Sequence, residues 1–134
     1  MSTQIKTVTD SDVSHKMAQR SPKKKVHEKD IQREICDWLS TMPVFFWRSN
    51  NVPVFQQDRY GARFRKLPKY TPKGLPDILI LHKGLFIGLE VKVPDYWKIT
   101  DDQIKMKDNF INNGGSYYVV TSLQEAKDKL EFYL

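Results

Sequence analysis

Apolar residues recur along this chain with two different periods. Ile31, Ile35, Trp38 and Leu39 form a stripe at helical spacing, which predicts a first helix over Glu28 to Leu39. Met106, Phe110 and Ile111 do the same after Thr100-Asp101-Asp102-Gln103, a capping-box sequence that opens a helix running to about Asn113. Gly114-Gly115 stop that helix. Ser122-Leu123-Gln124-Glu125 has the same capping form and opens a last helix to the C-terminus. Between the helices lie shorter apolar runs. Val44 to Trp47, continuing to Arg48, reads as a buried strand, and Ser116 to Thr121 as another. A strand, a helix and a strand in that order imply a right-handed crossover to a parallel neighbour. The pattern predicts an α/β fold with a mixed sheet flanked by helices.

Two further runs, Ile78–Leu81 and Leu85–Val93, flank His82-Lys83-Gly84 and read as a β-hairpin. With Lys83-Gly84 as a two-residue turn, Asp77 stands opposite Glu90, with Cβ atoms ~4.5–5.5 Å apart. Lys92, two residues on, projects from the face of Glu90. A three-residue turn with a bulge would instead leave the acids diagonal. Like charges set against each other destabilise a sheet and raise a carboxylate pKa unless a cation intervenes. A hard divalent ion removes the conflict. The competing reading is a solvated salt-bridge patch in which Lys92 pairs with either acid.

The polar stretches carry the basic charge. Residues 1–25 are rich in Ser, Thr and Lys without apolar periodicity and read as a disordered basic arm preceding a domain over 26–134. Val52–Gln57 and Ala62–Leu67 flank Asp58-Arg59-Tyr60-Gly61 and predict a protruding hairpin, with Pro53 confining its first strand to an edge. From Arg48 to Lys73 the basic residues are Arg48, Arg59, Arg63, Arg65, Lys66, Lys69 and Lys73, against the single acid Asp58. Tyr60, Phe64 and Tyr70 are interleaved, as suits a nucleic-acid backbone and exposed bases. A solvated flap is the plainer alternative.

Two polar residues fall on apolar helical faces. Glu28 lies between Ile35 and Leu39 on the helical wheel, one turn before Gln32. Either it points inward and needs a partner, or it is solvated in the first turn, where the helix dipole favours it. Gln103 either caps its own helix or points at the polar face of the hairpin.

At 134 residues the chain is expected to form one domain. Net charge is +6 and the pI about 9.4, a balance that favours a polyanionic partner. One cysteine, Cys36, excludes an internal disulfide, fits a reducing compartment and reads as a core-edge residue. His15, His27 and His82 lack metal-ligand spacing. No apolar run reaches membrane-spanning length and no signal-peptide pattern opens the chain. The expectation is a soluble, cytoplasmic protein without a membrane partner.

In order, then, come a helix with Glu28 and Gln32, a strand ending in Arg48-Ser49-Asn50, Gly74-Leu75-Pro76-Asp77, Glu90-Val91-Lys92, and a helix with Gln103. This order resembles the PD-(D/E)xK nuclease superfamily, most closely its VRR-NUC branch, from about Glu28 to Leu134. The chain departs from the pattern at Asn51-Val52, where a Gly often follows the Asn. The resemblance implies a restriction-endonuclease-like mixed β-sheet core and a Mg²⁺- or Mn²⁺-dependent nuclease. Asp77 and Glu90 would be metal-binding carboxylates, the Val91 carbonyl a further ligand, and Lys92 the residue handling the attacking water. Glu28 would match the family's first-helix acid and Gln103 its helix glutamine. Stand-alone members from viruses and bacteria are similar to Holliday-junction resolvases and tend to be homodimers. That implies branched DNA as substrate, in a bacterial or virus-infected host cell. Arg48, Asn50, Arg59, Tyr60, Arg63, Arg65, Lys66, Lys69 and Lys73 are the candidate DNA contacts. The competing function is a non-catalytic nucleic-acid-binding module of the same fold, serving recombination or repair.

Overall fold

The computed structural model describes residues 25–49, 54–59, 61–65, 68–95 and 97–134. Most of the proposed N-terminal arm therefore lies outside the described residues; Lys25, at its end, is exposed. The elements are α1 (Glu28–Leu39), β1 (Phe45–Arg48), β2 (Val54–Asp58), β3 (Gly61–Arg65), β4 (Ile78–His82), β5 (Leu85–Val91), α2 (Asp101–Asn112), β6 (Ser116–Val120) and α3 (Leu123–Leu130).

Four strands form one sheet in the order β1-β4-β5-β6. β1 and β4 are antiparallel, as are β4 and β5, whereas β5 and β6 are parallel. The sheet is mixed because α2 carries the chain back between β5 and β6, while Lys83-Gly84 reverses it between β4 and β5. Lys83 and Gly84 both have positive φ, 49° and 82°, the requirement of a type I′ hairpin turn. The turn pairs Ile78 with Leu89 and His82 with Leu85, the two-residue register expected from sequence. β5 ends at Val91, two residues before the end of its apolar run.

Alternation along the strands gives the sheet two apolar faces. Ile78, Ile80, Ile87, Leu89, Val91 and Val120 pack with Ile31, Ile35 and Leu39 of α1 and with Ala126 and Leu130 of α3. Cys36 and Trp38 are partly buried at the edge of that core. On the other face Leu79 and Tyr117 pack with Met106 and Phe110 of α2.

One helix covers this second face where two cover the first, and two expectations fail there. β1 is not a buried strand. It is a sheet edge, with Phe45 65% and Trp47 39% exposed and only Phe46 turned toward the core. Ile111, placed by the wheel on the apolar face of α2, is 53% exposed, and the helix meets the sheet through Met106 and Phe110.

The second capping box also differs. Ser122 Oγ accepts from the Glu125 amide as expected, but the Glu125 carboxylate reaches past the cap to accept from Thr121 N and Thr121 Oγ1. β6 consequently stops at Val120 rather than Thr121, and α3 ends at Leu130 rather than at the C-terminus.

The basic flap is a separate two-stranded sheet in which Asp58 pairs with Gly61 across the turn. Its described strands reach one residue further toward the turn than the sequence reading, to Asp58 and from Gly61, while residues 52–53 and 66–67 of that reading lie outside the described residues.

Candidate active site

The acid-bearing ends of β4 and β5 meet beside the N-terminal half of α1 and the first turn of α2. Asp77 immediately precedes β4. Its carbonyl accepts from Ser49 N at 2.9 Å, which ties it to the end of β1. Its Oδ2 accepts from Val91 N at 2.7 Å, which ties it to β5. The residue is thus fixed from both neighbouring strands. An extended residue points its N–H and C=O to the same side, so the Val91 carbonyl is directed into the gap that Asp77 occupies.

Glu90 is 4% exposed on β5. Its Oε1 accepts from Gln103 Nε2 at 2.7 Å and lies 3.5 Å from Lys92 Nζ. Its Oε2 is buried and has no hydrogen-bond partner among the described residues. Burial, then the negative charge of Asp77, push the Glu90 carboxyl up to about 8, against the pull of Lys92. Burial likewise raises Asp77, opposed by the Val91 N–H, with Glu28 adding to the rise and Lys92 and Arg48 working against it.

The two open readings of sequence resolve differently. Gln103 does both things proposed for it. Its Oε1 accepts from Thr100 N, its backbone N–H donates to Thr100 Oγ1, and its Nε2 donates to Glu90. Glu28 does not point into the core. It is exposed in the first turn of α1, and the site feels it through its charge, which raises both carboxylates. Its backbone sits where a first-turn acid is favoured by the helix dipole.

Arg48, grouped by sequence with the DNA contacts, is exposed and donates from Nη2 to Gln32 Oε1 at 2.8 Å. Gln32 is buried on α1, so the ion-dipole contact joins α1 to the end of β1 and holds the guanidinium near Asp77. Sequence reasoning placed Gln32 one turn from Glu28 without giving it this partner.

It also missed Gly74. This residue has φ +76° and so little space that an added Cβ would lie 2.5 Å from the Asp102 carbonyl oxygen of α2. Only glycine lets the loop before Asp77 approach the helix that carries Gln103.

The flap is less fully described. Arg59 is exposed, and Arg63 and Arg65 alternate with Phe64 along β3. Asn50, Tyr60 and Lys66, and the side chains of Arg63 and Arg65, lie outside the described residues. Lys69 and Lys73 are exposed, and Lys69 Nζ lies 5.1 Å from the centroid of the Tyr70 ring, itself 91% exposed. No helix among the described residues is long and apolar enough to cross a membrane.

The residues fit a hard divalent cation. Burial raises both carboxylates and the charge of Asp77 raises Glu90 further, one buried carboxylate oxygen is unpartnered among the described residues, and a backbone carbonyl lies beside the same gap. Among the described residues no group of three or more His, Cys, Asp or Glu side chains is gathered for a metal, so an ion held here would have these two acids and backbone as its protein ligands. That is the economy of Mg²⁺-type sites, which complete their shell with water and substrate phosphate.

No family model matches the chain, and none of the curated proteins is similar to it. Among solved structures, a VRR_NUC domain superposes with a TM-score of 0.55 at 19% identity, over 80% of this chain and 97% of that one. The mixed sheet, its flanking helices and this superposition give the chain the α/β, restriction-endonuclease-like fold of a VRR_NUC domain.

Proposed function

We propose that the chain is a Mg²⁺- or Mn²⁺-dependent endonuclease that hydrolyses phosphodiester bonds of branched DNA, acting as a homodimer. The observation that carries the reading is the pair of half-buried Asp77 and buried Glu90, with one Glu90 carboxylate oxygen unmet among the described residues. A sheet holds two such acids at a cost that a bound cation removes.

Asp77, Glu90 and the Val91 carbonyl would hold the ion. When bound, it would lower the pKa of a water and neutralise charge on the phosphate. The protein's own groups do the rest. Val91 N–H fixes the Asp77 carboxylate, and Gln103 fixes Glu90 through Oε1, leaving Oε2 free to ligate. Lys92, half-buried beside Glu90, orients the attacking water and offsets the negative charge that develops at phosphorus. Water gives a proton to solvent as it adds to phosphorus, the opposite P–O bond breaks, and the departing oxygen is protonated from solvent.

The basic flap supports a DNA backbone as ligand, with Arg59, Arg63, Arg65, Lys66, Lys69 and Lys73 as phosphate contacts and Tyr60 as a stacking side chain. Branched substrate and the dimer rest on the VRR_NUC likeness of the fold, because paired incision of a junction requires two sites related by symmetry.

The test is a panel of labelled branched and linear DNAs incubated with Mg²⁺, Mn²⁺ or EDTA. Cleavage of a junction with either ion, absent in EDTA and in Asp77→Ala, is expected. Binding without cleavage under every condition would leave a non-catalytic module of the same fold.

A further inference from the structure

Tyr117 is 5% exposed, and its hydroxyl has no hydrogen-bond partner among the described residues. Glu90 Oε2 is the other buried side-chain atom in that condition. One is a donor and the other an acceptor, and the sheet brings them to the same place. β5 and β6 run parallel, with Tyr117 opposite Gly88 and Glu90 opposite Val119. Tyr117 and Glu90 are therefore diagonal neighbours on the face that α2 covers, a separation long side chains span.

Gly88, between them on this face, lets Pro76 and Phe110 close down on the sheet. A Cβ there would lie 2.4 Å from Pro76 Cγ and 3.0 Å from Phe110. The Tyr117 ring packs edge-on against Phe110, centroids 5.9 Å apart, which fixes the direction of its hydroxyl. The negative charges of Glu90 and Asp77 both act on that hydroxyl, and with burial they raise its pKa. The phenol thus stays a neutral donor within the field of two carboxylates.

We propose that Tyr117 is a positioning residue for Glu90, its hydroxyl holding Oε2 through one trapped water. A carboxylate oxygen has two lone pairs, so this bond leaves one for a cation. A buried water needs two to four polar partners, and these two atoms supply the first two. The hold on Glu90 stands without the nuclease reading; its consequence for metal affinity rests on that reading.

Two measurements test it. In EDTA, Tyr117→Phe is compared in the wild-type and Glu90→Ala backgrounds by thermal unfolding; phenylalanine keeps the ring and its packing on Phe110. The expected result is a Tm loss of about 3 °C with Glu90 present and no loss without it. Equal shifts in both backgrounds would make the hydroxyl an orphan of the core and overturn the proposal. Calorimetry with Mn²⁺ is the second measurement and needs only the single variant. Tyr117→Phe should bind the ion about tenfold more weakly, as for loss of a group that orients a ligand. Wild-type affinity in Tyr117→Phe would overturn the proposal even if Glu90→Ala failed to fold. A wild-type protein that bound no Mn²⁺ would overturn the metal centre and this consequence with it, while the metal-free comparison still decides the hold on Glu90.

Discussion

Burial and the charge of Asp77 set the Glu90 carboxyl at about 8, where an unfolded chain would leave it at its ordinary 4.5. Below about 4.5 both states are protonated. Between the two values the folded state holds the proton more tightly, so stability falls as pH rises through that window and levels off above it. Asp77, also raised, acts in the same direction. The metal-free protein in EDTA should therefore show its Tm declining from pH 5 to pH 8, a slope that Glu90→Gln flattens. Divalent metal should stabilise the protein most at the alkaline end, because there the carboxylates have already lost the protons that compete with the ion. The same two residues carry the proposed chemistry. Asp77→Ala or Glu90→Ala should abolish cleavage while retaining the fold and most DNA binding. Lys92→Ala should cost on the order of 10²–10³ in rate, the loss of one electrostatic stabiliser. Full activity in that variant would reduce Lys92 to a salt-bridge partner of Glu90.

Each element arranges these residues through contacts that differ in how well sequence reveals them. The β4–β5 hairpin was legible because its register follows from a local turn, Lys83-Gly84, and because a period of two fixes which side chains share a face. The bounds of α1 were legible for the same kind of reason, a stripe of Ile31, Ile35 and Leu39 at one period. What the sequence hid depends on breadth of cover. Whether Phe45, Trp47 or Ile111 is buried turns on how far a helix extends across a sheet, and no local period encodes that. Glu28 shows the limit of the wheel, since the first turn of α1 overhangs the core that its later turns bury. Tyr117 was invisible because its relation to Glu90 passes through the register of two strands joined by a whole helix. Gly74 belongs here as well. Gly74→Ala should destabilise by about 2 kcal/mol or more, since it combines a left-handed φ with a collision against helix backbone. Chemical denaturation would measure it, and cleavage should fall further than stability if the displaced loop carries Asp77 with it.

For the molecule as a whole, the decisive quantities are charge and copy number. A chain of net charge +6 with a basic flap should bind DNA with an affinity that falls with salt, at a slope of about −0.9 per phosphate neutralised. Replacing Arg63 and Arg65 by Ala should weaken binding to every DNA alike and make the slope shallower by about one to two. An effect confined to branched substrates would mean that the pair reads structure instead. Sedimentation should find a dimer at micromolar concentration, and a monomer with and without DNA would leave a nuclease that makes single cuts. Gln103 connects these scales. One side chain closes the first turn of α2 with its oxygen and grips Glu90 with its nitrogen. Fraying of that turn and rotation of the Glu90 carboxylate are thereby a single cooperative event. A ligand that quiets Glu90 should slow deuterium uptake at the Thr100 and Gln103 amides, and the start of α2 becomes a reporter of occupancy that touches no ligand itself.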